Sequence, residues 1–189
     1  MLFTRNKADS SKVSTIMATK QKRYETLVHA LHGDIFRYAY WLVRDKSVAE
    51  DIVQETFLRA WRSLDSLKDE KAAKSWLITI LRRENARRFE RKQFDLVDID
   101  DVSVTDDAPS HEAGLADNEL HRHIASLADE YREPLVLQVM FGMSGEEISA
   151  QLGLNKNTVM TRLFRARNQL KDLLENADSN NQSRGSKNG

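Results

Sequence analysis

The sequence predicts an all-α protein: two small helical domains joined by an acidic linker, the second ending in a helix-turn-helix. Three observations predict it. Only 7 glycines and 2 prolines interrupt 189 residues, and a 31% content of Lys, Arg, Glu and Asp suits helices better than strands. Apolar residues recur at helical spacing in several stretches. An acidic segment without a stable period separates the periodic stretches into two groups, as a linker would.

The stretch from Val48 to Leu64 carries the clearest stripe: Ala49, Ile52, Val53, Thr56, Phe57, Ala60, Trp61 and Leu64 recur in steps of three and one. Its opposite face presents Glu50, Asp51, Gln54, Glu55, Arg59 and Arg62. A rod of about 25 Å follows from 1.5 Å per residue, enough for one wall of a small domain. Upstream, residues 1–20 are polar and aperiodic and read as a disordered tail. A first domain is expected over residues 21–93. In it, a helix from Tyr24 places Leu27, Leu31, Ile35, Tyr38, Ala39 and Leu42 on one face, with Gly33 as a weak point. Arg44 to Ser47 reads as a turn, and Ser47 with Glu50 as a capping box for the next helix. After the polar connection Asp65 to Lys71, a third helix runs from about Ala72 to Lys92. It docks through Trp76, Leu77, Ile80 and Leu81 and carries Arg82, Arg83, Arg87, Arg88, Arg91 and Lys92. The helix dipole accounts for one or two such cations, not six.

Residues 94–116 form the acidic linker, and a second domain is expected over 117–175. Leu120, Ile124, Leu127 and Ala128 make a short stripe from about Asp117; Pro134 suits the first turn of a new helix ending at Gly142. Ser144 with Glu147 is a capping box, and the helix it opens carries Ile148 and Leu152 and stops at Gly153. Asn155 caps the last helix, which buries Val159, Leu163, Ala166 and Leu170. The spacing of Ile148, Ser149, Leu152, Gly153 and Val159 is that of a helix-turn-helix, with small residues expected where the helices approach closely. Lys156, Asn157, Met160, Thr161, Arg162, Arg165 and Asn168 face outward, early residues toward base edges and later arginines toward phosphates if the helix enters a major groove. Residues 176–189 read as a second disordered tail.

The formal net charge is zero, from 29 basic and 29 acidic residues, so only its distribution is informative. From Lys22 to Lys92 there are sixteen Lys and Arg against eleven acids; from Gln93 to His123 Arg122 stands against nine acids; from Asn155 to Lys171 five cations have no acid among them. Two basic blocks around an acidic middle point to nucleic acid. The chain has no cysteine, which excludes disulfides, thiolate metal sites and thiol nucleophiles. No apolar run approaches the roughly 18 residues of a membrane span, and residues 1–20 lack a signal-peptide core, so a cytoplasmic protein without membrane insertion is expected. The acidic segment lacks the glycine-centred pattern of a calcium loop. Of the histidines, His121 and His123 are two residues apart and fall on different sides of a helix. No catalytic constellation, metal or cofactor is expected.

Asp51-Ile52-Val53-Gln54-Glu55-Thr56-Phe57-Leu58-Arg59-Ala60-Trp61, then Trp76-Leu77 before a basic helix, then Thr158-Val159-Met160-Thr161-Arg162-Leu163-Phe164-Arg165-Ala166-Arg167 resemble the extracytoplasmic-function (ECF) sigma factors of the bacterial sigma-70 family. The resemblance spans about Tyr24 to Leu174. It implies a transcription initiation factor, not an enzyme, whose first domain (region 2) binds core RNA polymerase and recognises and melts the −10 element, while the second (region 4) reads the −35 element. By the same resemblance, Asp51, Gln54, Glu55 and Leu58 dock on polymerase. Lys74, Arg82, Arg83, Arg87, Arg88 and Arg91 serve −10 binding and melting beside a base-pocket loop at about Leu64 to Ser75. Lys156, Asn157, Thr158, Thr161, Arg162 and Arg165 serve −35 binding. Trp76 is assigned to the core by its spacing with Leu77 and Ile80. The implied partners are the clamp of the largest polymerase subunit, the flap of the second, promoter DNA and an anti-sigma factor, in a stress or envelope response. Arg83 and Arg87 stand where the family often has Asn and Asp, and Asn157 and Met160 also depart from common residues, so promoter preference does not follow. Two other readings use the same residues: a stand-alone regulator binding DNA through the helix-turn-helix, and a helical adaptor binding protein alone. Dependence of DNA binding on core polymerase separates them.

Overall fold

A computed structural model describes residues 4–97 and 119–185. Among these residues the chain is helical throughout, with seven α-helices, two 3-10 turns and no strand. It divides into two compact units, Met1–Ala39 with Ser47–Val104, and Tyr40–Lys46 with Thr105–Gly189.

In the first unit, α1 (Thr4–Val43) and α2 (Lys46–Ser63) are antiparallel. The Tyr24 ring meets Trp61 edge-on at 5.1 Å, and His32 stacks on Phe57 at 5.6 Å, so advance along one helix is retreat along the other. Leu27, Ile35, Tyr38 and Ala39 from α1 pack with Ala49, Ile52, Val53, Thr56, Phe57 and Ala60 from α2. The Thr56 hydroxyl survives burial by donating to the Ile52 carbonyl at 2.7 Å. Trp61 of the expected stripe is half-buried, and Leu64 is fully buried in a 3-10 turn (Leu64–Ser66). A second 3-10 turn (Glu70–Ala72) is capped by Asp69, whose carboxylate accepts the Lys71 N–H at 2.9 Å, and leads into α3 (Ala73–Val97).

Several boundaries and faces differ from the expectation. Residues 4–20 are helical rather than a disordered tail: with no glycine or proline before Gly33, nothing stops α1 from extending backward. Gly33 leaves the helix intact on its exposed side. α2 starts at Lys46, which places Ser47 inside the first turn instead of at the cap; the chain turns at Arg44, in the left-handed region at φ 56°. On α3 the buried face is Leu77, Ile78, Leu81 and Glu84, while Trp76 and Ile80 are half-buried. The core face is thus rotated away from Trp76, because Ile78 points inward and Ile80 does not. α3 runs to Val97, past the start of the expected linker at 94; residues 98–118, which hold the rest of it, lie outside the described residues.

The second unit contains α4 (Glu119–Ser126), α5 (Asp129–Phe141), α6 (Gly145–Leu152) and α7 (Lys156–Gly185). Its core is Leu127, Leu135, Val136, Leu137, Met143, Ile148, Val159, Leu163 and Ala166. The corner between α4 and α5 is held by Arg132, only 3% exposed, which donates to the Leu127 carbonyl at 2.9 Å, the Ala125 carbonyl at 3.2 Å and the Asp129 carboxylate at 2.5 Å. A buried guanidinium is tolerated because its donors are engaged. α5 begins at Asp129, so Pro134 sits inside the helix instead of in its first turn, buried, at the cost of one backbone hydrogen bond to Glu130. α7 continues to Gly185, through most of the stretch expected as a tail; no glycine or proline precedes that residue within it.

The turns of the helix-turn-helix follow the sequence closely. Ser144 accepts the Glu147 N–H at 3.3 Å while the Glu147 carboxylate accepts the Ser144 N–H at 2.7 Å, a reciprocal cap. α5 and α6 each end on a left-handed glycine, Gly142 and Gly153, both at φ 65°. The expected close helix approach at Gly153 is absent: a methyl there would meet nothing within 4 Å, and backbone conformation is the reason for glycine. Close approach occurs at Gly145, where a methyl would lie 3.0 Å from the Met160 sulfur. Ser149 closes the turn by donating its hydroxyl to the Leu154 carbonyl at 2.5 Å.

Candidate nucleic-acid interface

The outward ridge of α2 holds Asp51, Gln54, Glu55 and Leu58, spaced at i, i+3, i+4 and i+7 so that they share one stripe. Asp51 and Gln54 are exposed, Leu58 is 49% exposed although apolar, and Glu55 is half-buried and pairs with Arg59 at 3.2 Å. An uncovered leucine among polar residues suits a contact surface with a protein partner.

Arg59 also reaches Glu84 of α3 at 2.6 Å, and the same Glu84 oxygen accepts from Arg87 at 2.6 Å. Glu84 is 3% exposed, and its second oxygen has no donor among the described residues. The one sequence sign of this buried carboxylate is that position 84 continues the steps of the α3 core face from Leu77 and Leu81.

The six basic candidates of the first unit are not equivalent. Arg83, Arg87 and Arg91 are exposed and follow one ridge at four-residue steps, whereas Arg82 and Arg88 are half-buried on its flanks. Lys74 is half-buried and held by Asp34 of α1 at 2.8 Å; this hydrogen bond first, and the Arg37 partner after it, keep the Asp34 carboxyl below its ordinary range. Trp76 and Ile80 line the same stripe as Arg83 and Arg87, at i, i+4, i+7 and i+11, so the half-buried indole belongs to the cationic face as much as to the core. Beside it, the loop after α2 keeps Leu64 and Leu67 buried and its other residues through Ala72 exposed.

In the second unit Lys156, Asn157, Thr158, Thr161 and Arg165 are exposed at the start of α7, and Arg162 is half-buried. Asn155 caps the helix by accepting the Asn157 N–H at 2.7 Å. The run is free of acids in sequence but not in space. Lys156 pairs with Glu146 of α6, which holds the Glu146 carboxyl below its ordinary range; Arg162 pairs with Glu130 of α5 at 3.3 Å, and Arg165 donates to the Tyr131 hydroxyl at 3.5 Å. Thr161 turns its hydroxyl to the Asn157 carbonyl at 2.8 Å. These are exposed pairs of small net worth, which orient the cations yet yield easily to phosphate.

A helix-turn-helix with a cationic recognition helix in one unit, and an aromatic and basic ridge in the other, define a DNA-binding protein of the transcription class. The family model for sigma-70 region 2 matches residues 27–94, and that for sigma-70 region 4 matches residues 117–170. The chain is 34% identical to the RNA polymerase sigma factor SigV of Bacillus subtilis over 70% of its length and 80% of that protein's. It is 30% identical to the ECF sigma factor SigM of the same organism over 75% and 88%. Among solved structures, it superposes on the sigma factor RpoE of Bartonella quintana, in complex with the anti-sigma factor NepR, with a TM-score of 0.65 and 28% identity over 82% of this chain and 98% of that one. CnrH, in complex with the cytosolic domain of CnrY, gives a TM-score of 0.57 at 25% identity, over 82% and 89%. The chain belongs to the sigma-70 family, as a sigma factor of the extracytoplasmic-function type. It is a transcription initiation factor, not an enzyme, whose partners are core RNA polymerase and promoter DNA.

Proposed function

We propose that the work is divided by surface. Asp51, Gln54, Glu55 and Leu58 dock on the clamp of the largest polymerase subunit. Lys74, Arg82, Arg83, Arg87, Arg88 and Arg91 hold the opened −10 strand. Lys156, Asn157, Thr158, Thr161, Arg162 and Arg165 read and grip the −35 duplex, while the second unit meets the flap of the second subunit. The observation that carries this reading is the shared ridge of α2, where acidic and amide side chains surround an uncovered Leu58 on the side opposite the core. The ridge of Trp76, Ile80, Arg83 and Arg87 supports the second assignment: strand opening costs a few kcal/mol per unstacked base, repaid by aromatic faces and by cations along the freed backbone. The working domains in this reading are residues 21–93 and 117–175, although helices α1, α3 and α7 continue beyond these bounds, and the protein works in the cytoplasm with the polymerase. Among the described residues no helix is long and apolar enough to cross a membrane.

The structural neighbour RpoE was solved with the anti-sigma factor NepR, which supports control of this chain by an anti-sigma factor; a stress or envelope response is the setting we propose for it. The docking assignment is tested by Asp51→Ala combined with Glu55→Ala. The expected result is loss of the complex with core polymerase at unchanged helical content and melting temperature. A double variant that still assembles with polymerase would remove Asp51 and Glu55 from the interface.

A further inference from the structure

The face of α1 that carries Lys20, Arg23 and Tyr24, spaced at i, i+3 and i+4, grips the connection between α2 and α3. Tyr24 donates to the Phe57 carbonyl at 3.0 Å and packs edge-on against Trp61. Lys20 lies 5.5 Å over the Trp61 ring and bonds Asp65 at 2.7 Å. Arg23 reaches furthest: it donates to the Leu67 carbonyl at 2.5 Å and approaches Glu70 at 3.6 Å, spanning both 3-10 turns. The loop's own bonds are short-range, Leu67 N–H to Leu64 carbonyl at 3.0 Å and Ala72 N–H to Asp69 carbonyl at 3.1 Å. They shape each turn but do not fix one turn against the other. That junction falls at Leu67, whose backbone is extended (ψ 96°) and whose carbonyl is the atom Arg23 holds.

We propose that Arg23, assisted by Lys20, is a positioning residue that sets the geometry of the 64–72 loop and thereby the base discrimination of the −10 element. The inference rests on the assignment of that loop as the base pocket. A pocket that tells one base from another needs its walls fixed to within about 0.5 Å, and a planar guanidinium bonded to the backbone carbonyl that ends one turn, with a carboxylate of the next turn in ion-pair range, ties the two turns to the same helix. Discrimination by this loop is therefore partly encoded outside the loop and outside any residue that touches DNA.

The test uses the full chain assembled with core polymerase, on a promoter the holoenzyme transcribes and on every single-base change across its −10 and −35 elements. Arg23→Ala is compared with Arg23→Lys and with Gln21→Ala, a change on the same helix whose side chain bonds Glu25 one turn along it. The expected result for Arg23→Ala is a fall of about tenfold in the ratio of open-complex formation between the preferred and the next-best −10 base, the scale of one lost bond to a charged group. Discrimination at −35 and the affinity for polymerase are expected to stay at wild-type values, with Arg23→Lys intermediate and Gln21→Ala unchanged. Amides of residues 64–72 should exchange faster in the free Arg23→Ala protein while those of α2 do not. Wild-type discrimination at −10 with none lost in Arg23→Ala would overturn the inference, as would an equal loss at −10 and −35 with faster exchange throughout the first unit. A wild-type holoenzyme indifferent to every −10 base would instead overturn the pocket assignment.

Discussion

Glu84 is held 3% exposed between two guanidinium groups, and the balance of its energetics is set by how exposed those partners are. The Arg87 side chain is 49% exposed and returns to water when the carboxylate is removed, while Arg59, 38% exposed, keeps Glu55 at 3.2 Å. Glu84→Ala should then cost about 1–2 kcal/mol in urea unfolding, less than the 3–5 kcal/mol of stranding a fully buried charge; a neutral or stabilising result would show that desolvation cancels the pairs. Asp34 contributes differently, through pH. Lys74 and Arg37 depress its folded-state pKa below the ordinary 3.8, so the stabilisation is present above that value and is lost as pH falls through the depressed one. The stability difference between wild type and Asp34→Asn should be constant from neutrality down to about pH 5 and shrink below about pH 4. A difference that persists unchanged into the acid range would assign it to shape instead of charge.

At the scale of elements, a left-handed glycine ends α6, and the backbone alone requires it. Gly153→Ala should destabilise the second unit by about 1 kcal/mol, with Gly153→Asn costing less because asparagine tolerates the left-handed region. Equal losses for the two, read from thermal unfolding, would point to a steric cause. Elements with a buried stripe were legible in the sequence: every apolar position chosen on α2 is buried except half-buried Trp61, and the capping pair Ser144 and Glu147 lies where the sequence put it. The α1 stretch before Lys20 was not, since residues 14–19 are exposed, Ile16 and Met17 at 65% and 52%, and a helical stretch without a buried face leaves no period to read. The α3 core face was misplaced for a related reason. Ile78 and Ile80 are equally apolar, and only tertiary contact decides which points inward. Charge partners brought from other helices, such as Glu84 beside Arg59 or Glu130 beside Arg162, have no sequence signature at all.

For the whole molecule, zero net charge hides a chain whose cations gather on α3 and α7 and whose pairs on those helices are mostly exposed. Such a protein alone meets duplex DNA with several of its described cations already in exposed pairs, which lowers the affinity it has by itself, and a partner that adds contacts raises it. The sigma assignment therefore carries the expectation that specificity appears only with core polymerase. Run-off transcription on genomic fragments with core polymerase, with and without the protein, tests it most directly. Discrete transcripts that require the protein, with footprints that the protein alone does not produce, are the result expected; specific footprints from the protein alone with no polymerase-dependent transcripts would contradict it.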